Sequence, residues 1–423
     1  MNSTIIAGLI FVLTYAAIVA FKKAKTQILW IGVGAGLALG FIHAPDFIHD
    51  INWNVMGIFA GTLILSEFFI LSHVPDAIST VLLRKTRTVG TAYLAVCIFS
   101  SILSVAIENV ATVLIIAPIM IQLSKKIGVS PVPGVIGIAI ASNLQGTATL
   151  IGDPPSMILA NYMRMNFNDF FVYHGKPGIF FAVQVGAIGS MLFLYWYYNR
   201  YKNPIDFKGR VEIRSYIPTV FITLMVIALT LSTFVDPDFK WFGGFICMFL
   251  AVLCAVFSTR FTTADERRWV AVKYDFGTTA FLAGIFLMVG MLERTGVIEV
   301  FAHFLARNIG DNPFVAFSVV VWGSVAFSAF IDNVPYLTAM IPVVQLMSDS
   351  LGINVELLVF GLLIGASLGG NITPVGAAAN IVGVGTLKKH GYNVSFGEFA
   401  KIGLPFTVIA TALGSLFIYF VWN

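Results

Sequence analysis

Two short polar clusters interrupt long apolar stretches of the chain. One is Ile107-Glu108-Asn109-Val110-Ala111-Thr112, and the other is Ile331-Asp332-Asn333-Val334-Pro335-Tyr336. A carboxylate deep in apolar sequence is costly to keep and marks an ion or proton pathway by default. Glu108 and Asp332 are therefore candidates for a coupling ion or proton. Asn109 and Asn333 add amide oxygens of the kind that hard cations prefer, so a Na+ contact is assigned to them, and Thr112 adds a hydroxyl. Either carboxylate can also cap the helix that follows it. The two roles are compatible.

A second pair of segments is polar and broken by Gly and Pro. Ser142–Ser156 carries Asn143, Gln145, Gly146, Thr147, Thr149, Gly152 and Asp153, followed by Pro154-Pro155. Ser367–Asn380 carries Gly369, Gly370, Asn371, Thr373, Gly376 and Asn380. Such breaks leave backbone N–H and C=O groups without helical partners. Inside a bilayer those groups must find ligands, water or polar neighbours. Asp153 before two prolines is a good helix start, with ion or proton contact as its other role. Two breaks and two tips together would enclose a site with donors and acceptors.

The other titratable residues are less telling. Glu67 has two roles open to it, proton carrier or partner of His73. Glu293 is expected to pair with Arg294 at a span end. The histidines fall in loops or at span ends without metal-ligand spacing, and Cys97, Cys247 and Cys254 lie in apolar runs as small hydrophobes. Trp53, Trp196, Trp241 and Trp422 sit where interfacial anchors belong. No Lys or Arg occurs in the four site segments, which favours a neutral hydroxide such as arsenite, or a cation, over a densely charged anion.

The elements that position these residues follow from composition. Of 423 residues, 58% are hydrophobic and only 11% are charged, too few charges for a soluble fold of this size. That excludes a soluble enzyme and a nucleic-acid binder. Apolar runs give about ten spans, near 4–21, 27–43, 53–72, 134–163, 177–198, 216–233, 241–258, 276–293, 355–387 and 402–421. Stretches 89–124 and 312–348 are short for two spans each, which need about 40 residues plus a turn. They are expected to be re-entrant helical hairpins with Glu108-Asn109 and Asp332-Asn333 at their tips. Threading this layout puts 20 of the 25 Lys and Arg on one side, which the positive-inside rule makes cytoplasmic, with both termini outside. The N-terminal apolar run precedes its lysines, so it is expected to be a retained span rather than a cleaved signal.

The halves match at a constant offset of 224, pairing Glu108-Asn109-Val110 with Asp332-Asn333-Val334, Pro118 with Pro342, Gly128 with Gly352, Gly146 with Gly370, Thr149 with Thr373 and Gly152 with Gly376. Each half holds five spans and a hairpin, an odd number of crossings. The second copy is therefore inverted, as in many secondary transporters. The expected fold is an all-α integral membrane protein of two inverted-topology repeats, 1–199 and 215–423, with two broken helices. A basic linker, 200–214, joins the repeats.

The run Asn143–Ser156, the run Gly369–Asn380, the tip Asp332-Asn333-Val334 and the segment Tyr392–Phe399 together resemble the ion transporter superfamily, in its arsenite permease and P-protein-like branch with a citrate-transporter-like domain. The resemblance implies inverted repeats, re-entrant hairpins, broken helices lining one site, and elevator movement of a transport domain against a scaffold. The chain departs from the usual pattern at Ser156, where Asn is common, at Gln145-Gly146, where Gly-Gly is common, and at Glu108, where Asp is common. It lacks the Ser-Asn-Thr tips of the dicarboxylate branch. The expectation is an ion-coupled secondary transporter of a small oxyanion or weak acid such as arsenite or antimonite, driven by H+ or Na+. A Na+/H+ antiporter, an organic-anion symporter and a passive channel are the alternatives, and enzymatic activity is not expected. No resident cofactor is expected beyond the coupling Na+ or H+. Expected partners are the transported ion or small molecule and the lipid bilayer, with no nucleic acid. A homodimer and a separate soluble ATPase subunit stay open. The expected location is the cell (inner) membrane.

Overall fold

A computed structural model describes residues 3–423 apart from Asp206, Lys208 and Asp311. Lys208, one of the basic residues placed on the cytoplasmic side, thus lies outside the described residues. The first half runs α1 (Ser3–Ala20), α2 (Lys25–Ala38), α3 (Asp46–His49), α4 (Trp53–Leu71), α5 (Val74–Arg84), α6 (Val89–Ser104), α7 (Asn109–Ile127), α8 (Val132–Gly146), α9 (Pro154–Met163) and α10 (Ile179–Tyr198). The second half runs α11 (Ile217–Leu231), α12 (Phe242–Phe257), α13 (Ala264–Lys273), α14 (Phe276–Arg294), α15 (Val297–Ile309), α16 (Pro313–Ser328), α17 (Asn333–Leu351), α18 (Val355–Gly369), α19 (Ala378–Lys389) and α20 (Phe396–Trp422). The described sheet is a two-residue hairpin, Val172–Tyr173 with Lys176–Pro177.

Among the described residues, nine helices are long and apolar enough to cross a membrane. The first arms of the two hairpins, α6 and α16, have 16 residues each. At the α-helical rise that is about 24 Å, short of a hydrocarbon core of about 30 Å. Both arms end in turns, and the chain then reverses into α7 and α17. The expected breaks are also present, between α8 and α9 and between α18 and α19.

The packing repeats with the sequence. Helix α4 packs on α12 as its repeat mate α14 packs on α2, and α6 packs on α8 as α16 packs on α18. Ser104 Oγ donates to Ser142 O at 2.8 Å, and its mate Ser328 donates to Ala366 O. Pro118 and Pro342 lie inside α7 and α17, and Gly128 and Gly352 end those helices at φ 77° and 63°. A left-handed C-cap of this kind suits glycine. Two helical groups result. One contains α1, α2, α4, α11, α12 and α14. The other contains α6 to α10 and α16 to α20, in which α10 lies against α20 and α8 against α19. The amphipathic helices α5 and α15 join the two groups. They fall where the sequence suggested loops, because 11 and 13 residues are too few to register as spans.

Lipid does not drive apolar helices together, so close backbone approach must. Gly57-Ile-Phe-Ala-Gly61 of α4 provides it. A Cβ at Gly57 would lie 2.8 Å from Gly244 Cα, and one at Gly61 would lie 2.8 Å from Cys247 Cβ on α12. All 15 residues of α8 are buried, whereas α1 exposes Ile5, Leu9, Val12 and Leu13. Trp53, Trp196 and Trp241 are exposed as anchors should be. Trp422 is the exception: at 2% exposure it packs on Phe360, with Lys176 over its ring. The three cysteines are buried and free.

The loop before α12 shows how a buried carboxylate sets a helix start. Asp236 accepts from the backbone N–H groups of Lys240 at 2.9 Å, Trp241 at 2.7 Å and Phe242 at 2.9 Å. Burial raises the pKa of this carboxyl, but the donors outweigh it and hold it below the usual value. A depressed carboxylate stabilises the fold above its unfolded pKa of about 3.9, and that contribution is lost as pH falls through the folded value. Asp236→Ala is expected to cost about 1–2 kcal/mol at neutral pH and less at a pH below the folded pKa, where the charge that strengthens these bonds is gone. Detergent melting curves of both proteins at the two pH values check this.

Candidate functional site

The two hairpin tips line one cavity inside the protein, each beside the break of its own half. At the first tip, Glu108 Oε2 accepts from Ala111 N at 3.0 Å and so caps α7. Asn109 N donates to Gly152 O at 3.1 Å, tying tip to break. Thr149 Oγ1 donates to Val105 O at 2.6 Å, and its mate Thr373 donates to Ala329 O at 2.6 Å. Each break thus anchors the hairpin of its own half. At the second tip, Asp332 Oδ1 accepts from Val334 N at 3.3 Å and caps α17.

The breaks also meet each other. Asn109 Nδ2 donates to Asn143 Oδ1 at 3.0 Å, and Asn143 Nδ2 donates to Asn371 Oδ1 at 3.0 Å and Ser367 O at 3.1 Å. Asn371 Nδ2 returns to Ile140 O at 3.2 Å. This amide chain crosses from one repeat to the other.

The two breaks are closed differently. Asp153 accepts from Ser156 N at 3.0 Å and from Thr147 Oγ1 at 3.3 Å, which makes it the cap of α9. The equivalent position before α19 is Ala377, which has no such group. There Asn380 Nδ2 donates to Gly370 O at 3.0 Å and Thr373 O at 3.1 Å instead. Asn380 therefore stabilises the second break from the far side. Both breaks need glycine, because Gly152 presses on Gly146 as Gly376 presses on Gly370. A Cβ at Gly152 would collide with the carbonyl of Gly146, which cannot move without opening the break. Gly152→Ala is expected to cost about 1–3 kcal/mol through overpacking. An unchanged melting temperature in detergent would contradict that tight approach.

A cavity of about 820 Å³ lies against the tips. Five of the site residues suggested by the sequence line it: Glu108, Asn109, Asn143, Asp332 and Asn333. The others lie behind that layer or beside it. Thr147, Thr149, Asp153, Asn371, Thr373 and Asn380 hold the breaks, as do Gly146, Gly152, Gly370 and Gly376. Gln145 exchanges two amide hydrogen bonds with Gln184 of α10, at 3.0 and 2.9 Å. Gly369 abuts the backbone of α16 at Val325. Thr112 is buried, and its hydroxyl has no hydrogen-bond partner among the described residues.

The remaining cavity wall comes from other elements. Lys23, Lys25, Glu67, Lys273 and Asp275 all line it. Lys25 Nζ lies 2.9 Å from Asp332 Oδ2. The expectation of a site without basic residues is thus corrected. It held for the four site segments, but the link before α2, the first residue of α2 and the end of α13 bring lysines in from elsewhere. In the sequence these lysines served only as markers of sidedness. Glu67 does not pair with His73, whose Nδ1 instead lies 2.7 Å from Asp76 Oδ2. Glu67 lines the cavity, and its Oε2 has no hydrogen-bond partner among the described residues. Nor is Arg294 the partner of Glu293. It holds Asp50 at 2.8 Å and Asp46 at 3.0 Å. Glu293 lines a second, polar cavity of about 430 Å³ with Asn52, Asn161 and Lys240.

Comparisons with known proteins agree with this architecture. The family model described as "Citrate transporter" (CitMHS) matches residues 9–365. An uncharacterized transporter of Mycobacterium tuberculosis is 26% identical over 99% of this chain and 100% of its own length. The P protein of Homo sapiens is 26% identical over 98% of this chain and 59% of its own length. Among solved structures, the YdaH transporter of Alcanivorax borkumensis aligns with a TM-score of 0.60 at 11% identity, covering 99% of this chain and 98% of that one. MtrF of Neisseria gonorrhoeae, titled as illuminating a class of antimetabolite efflux pumps, aligns with a TM-score of 0.60 at 13% identity, covering 100% and 95%. At such identities these two show likeness of fold. With a family match over most of its length and two matched sets of broken helices and hairpins, the chain belongs to the citrate transporter family of the ion transporter superfamily and is a multi-pass membrane transporter.

Proposed function

We propose that this transporter moves a small anion, an oxyanion or a carboxylate, coupled to H+ or Na+. The observation that carries this is the cavity itself. Lys23, Lys25 and Lys273 line it together with the carboxylates and amides of the tips, and Lys25 is ion-paired with Asp332. An anion and a cation can therefore be held together in one chamber, each near groups of opposite sign. A neutral hydroxide such as arsenite gains nothing from three lysines, so the anion now fits better. Membership of the citrate transporter family supports a carboxylate within this class.

All three lysines fall on the side that charge placement makes cytoplasmic. The cavity then opens inward, with both termini outside and the inner membrane as the location. The second cavity sits at the opposite ends of α4, α9 and α14 and belongs to the outer path. The split into two helical groups joined by α5 and α15 supports elevator-type movement of the hairpin-bearing group. A Na+/H+ antiporter is favoured by one observation. Glu67 and Glu108 line the same cavity, and neither has an ion-pair partner among the described residues. The deciding experiment is counterflow in proteoliposomes with labelled citrate, phosphate and arsenite, and with Na+ alone. Exchange of citrate or phosphate supports the anion carrier. Movement of Na+ against H+ with no anion exchange overturns it in favour of the antiporter.

A further inference from the structure

Lys25 and Asp332 come from different helical groups. Lys25 is the first residue of α2, and Asp332 caps α17 at the tip of the second hairpin. Their side chains are 29% and 20% exposed, so the pair faces the cavity without being open surface. Lys25 Nζ is also 4.6 Å from the centroid of the Phe281 ring on α14, which holds the ammonium in place. The repeat does not explain this pair. Helix α12, the repeat mate of α2, begins at Phe242 and carries no Lys or Arg, and Glu108 has no basic partner among the described residues. The ion pair is thus an addition to one half of a symmetric framework. It ties the tip of one group to the other group at the binding cavity.

Charge balance then restricts which carrier states are accessible. Closed, the pair is neutral. If only an anion takes Lys25, Asp332 is left unpaired. If only a cation takes Asp332, Lys25 is left unpaired. Either way an uncompensated charge remains in a largely apolar chamber, which is strongly disfavoured. If both bind, neutrality returns for a monovalent anion, and each further negative charge on the anion requires one more cation. We propose that Lys25 is a tethered counterion that occupies Asp332 in the empty carrier and is exchanged for external ions when the carrier loads. A proton or Na+ takes Asp332 as the anion takes Lys25, and release of both closes the pair again. The empty and doubly loaded carriers are the two neutral forms able to move, so transport is coupled by exclusion of the half-loaded ones. This rests on the anion-carrier assignment made above. Other titratable groups facing the pair are Tyr15 of α1, Lys23 of the link, Glu67 of α4, Glu108 of α7, and Lys273, Tyr274 and Asp275 at the α13–α14 junction. All of them remain in every variant below, so differences between variants report the pair.

Two measurements test it. The first is acylation of Lys25 by an amine-reactive ester at one fixed pH, read by peptide mass spectrometry on the purified full-length protein. Asp332→Asn frees the ammonium, so labelling is expected to rise at least about threefold. Unchanged labelling means the pair does not protect Lys25, which overturns the proposal whatever the protein transports. The second measurement uses citrate as probe in proteoliposomes. In Asp332→Asn, citrate–citrate exchange is expected to fall less than about threefold while gradient-driven accumulation falls at least about tenfold. Lys25→Gln is expected to lose both by about tenfold, and Lys25→Arg to restore accumulation. Accumulation that persists in Asp332→Asn, or Lys25→Gln behaving as the wild type, overturns the exchange. Absence of citrate and phosphate exchange in the wild type, with or without arsenite exchange, refutes the anion-carrier assignment and the exchange with it. The labelling result still decides separately whether the pair exists.

Discussion

Glu108→Gln is expected to lower gradient-driven uptake at least tenfold while leaving the protein folded. The glutamine carbonyl can still accept from Ala111 N, so the start of α7 keeps its cap. What disappears is the charge at the first tip. Glu108 is 4% exposed, lines the cavity and has no basic partner among the described residues. Its carboxylate therefore faces any ion that enters the cavity. Losing one charge-assisted interaction with that ion removes about 1.5–3 kcal/mol, a tenfold to hundredfold effect. Glu108→Ala separates the two roles, because it also loses the cap at about 1 kcal/mol. Proteoliposome uptake and detergent melting measured together distinguish them. Normal uptake in Glu108→Gln would remove the first tip from the coupling site.

Asn143→Ala is expected to destabilise the protein by about 2–4 kcal/mol and to weaken transport with it. Asn143 accepts from Asn109 and donates to Asn371 and Ser367, so its loss leaves polar groups of both repeats unpaired. Each orphaned buried group costs about 1–3 kcal/mol. Cooperativity makes a partly satisfied network a poor arrangement. The distinguishing result is in the double variant. Asn143→Ala with Asn371→Ala should cost less than the two single changes added together, because the second removes a group already orphaned. Strict additivity of the melting shifts would contradict a shared chain.

The framework was legible because intramembrane physics leaves few options. Scarce charge announced a membrane protein, and Glu108-Asn109 and Asp332-Asn333 stood out at one fixed offset. Glycine and proline at Gly146, Gly152, Pro154, Gly370, Gly376 and Pro374 marked breaks that the structure places beside the hairpin tips. The cap role of Asp153 was likewise readable from the prolines that follow it.

What escaped was the side-chain chemistry between distant segments. Lys25 lies 307 positions from Asp332 in the chain, and no local pattern reveals that a residue counted as a topology marker reaches a hairpin tip. The sequence leaves Glu67 open between a proton carrier and a partner of His73, and offers Glu293 its neighbour Arg294. The structure pairs His73 with Asp76 and Arg294 with Asp46 and Asp50. Residues three apart on a helix face each other, as in the first case. The Arg294 contacts arise because α3 and α14 end at the same place. The broken segments also divide in a way their sequence does not show. Asn143 reaches the cavity, while Asn371 and Asn380 serve the backbone behind it.

The most direct test is accumulation of labelled citrate in wild-type proteoliposomes under an imposed Na+ or H+ gradient, with Lys25→Gln measured alongside. An ion-coupled carrier built around these lysines should raise internal citrate above the external concentration, collapse when the gradient is dissipated, and fail in Lys25→Gln. Equilibration to the external concentration and no further, with either gradient, would show a passive pathway and contradict coupled transport.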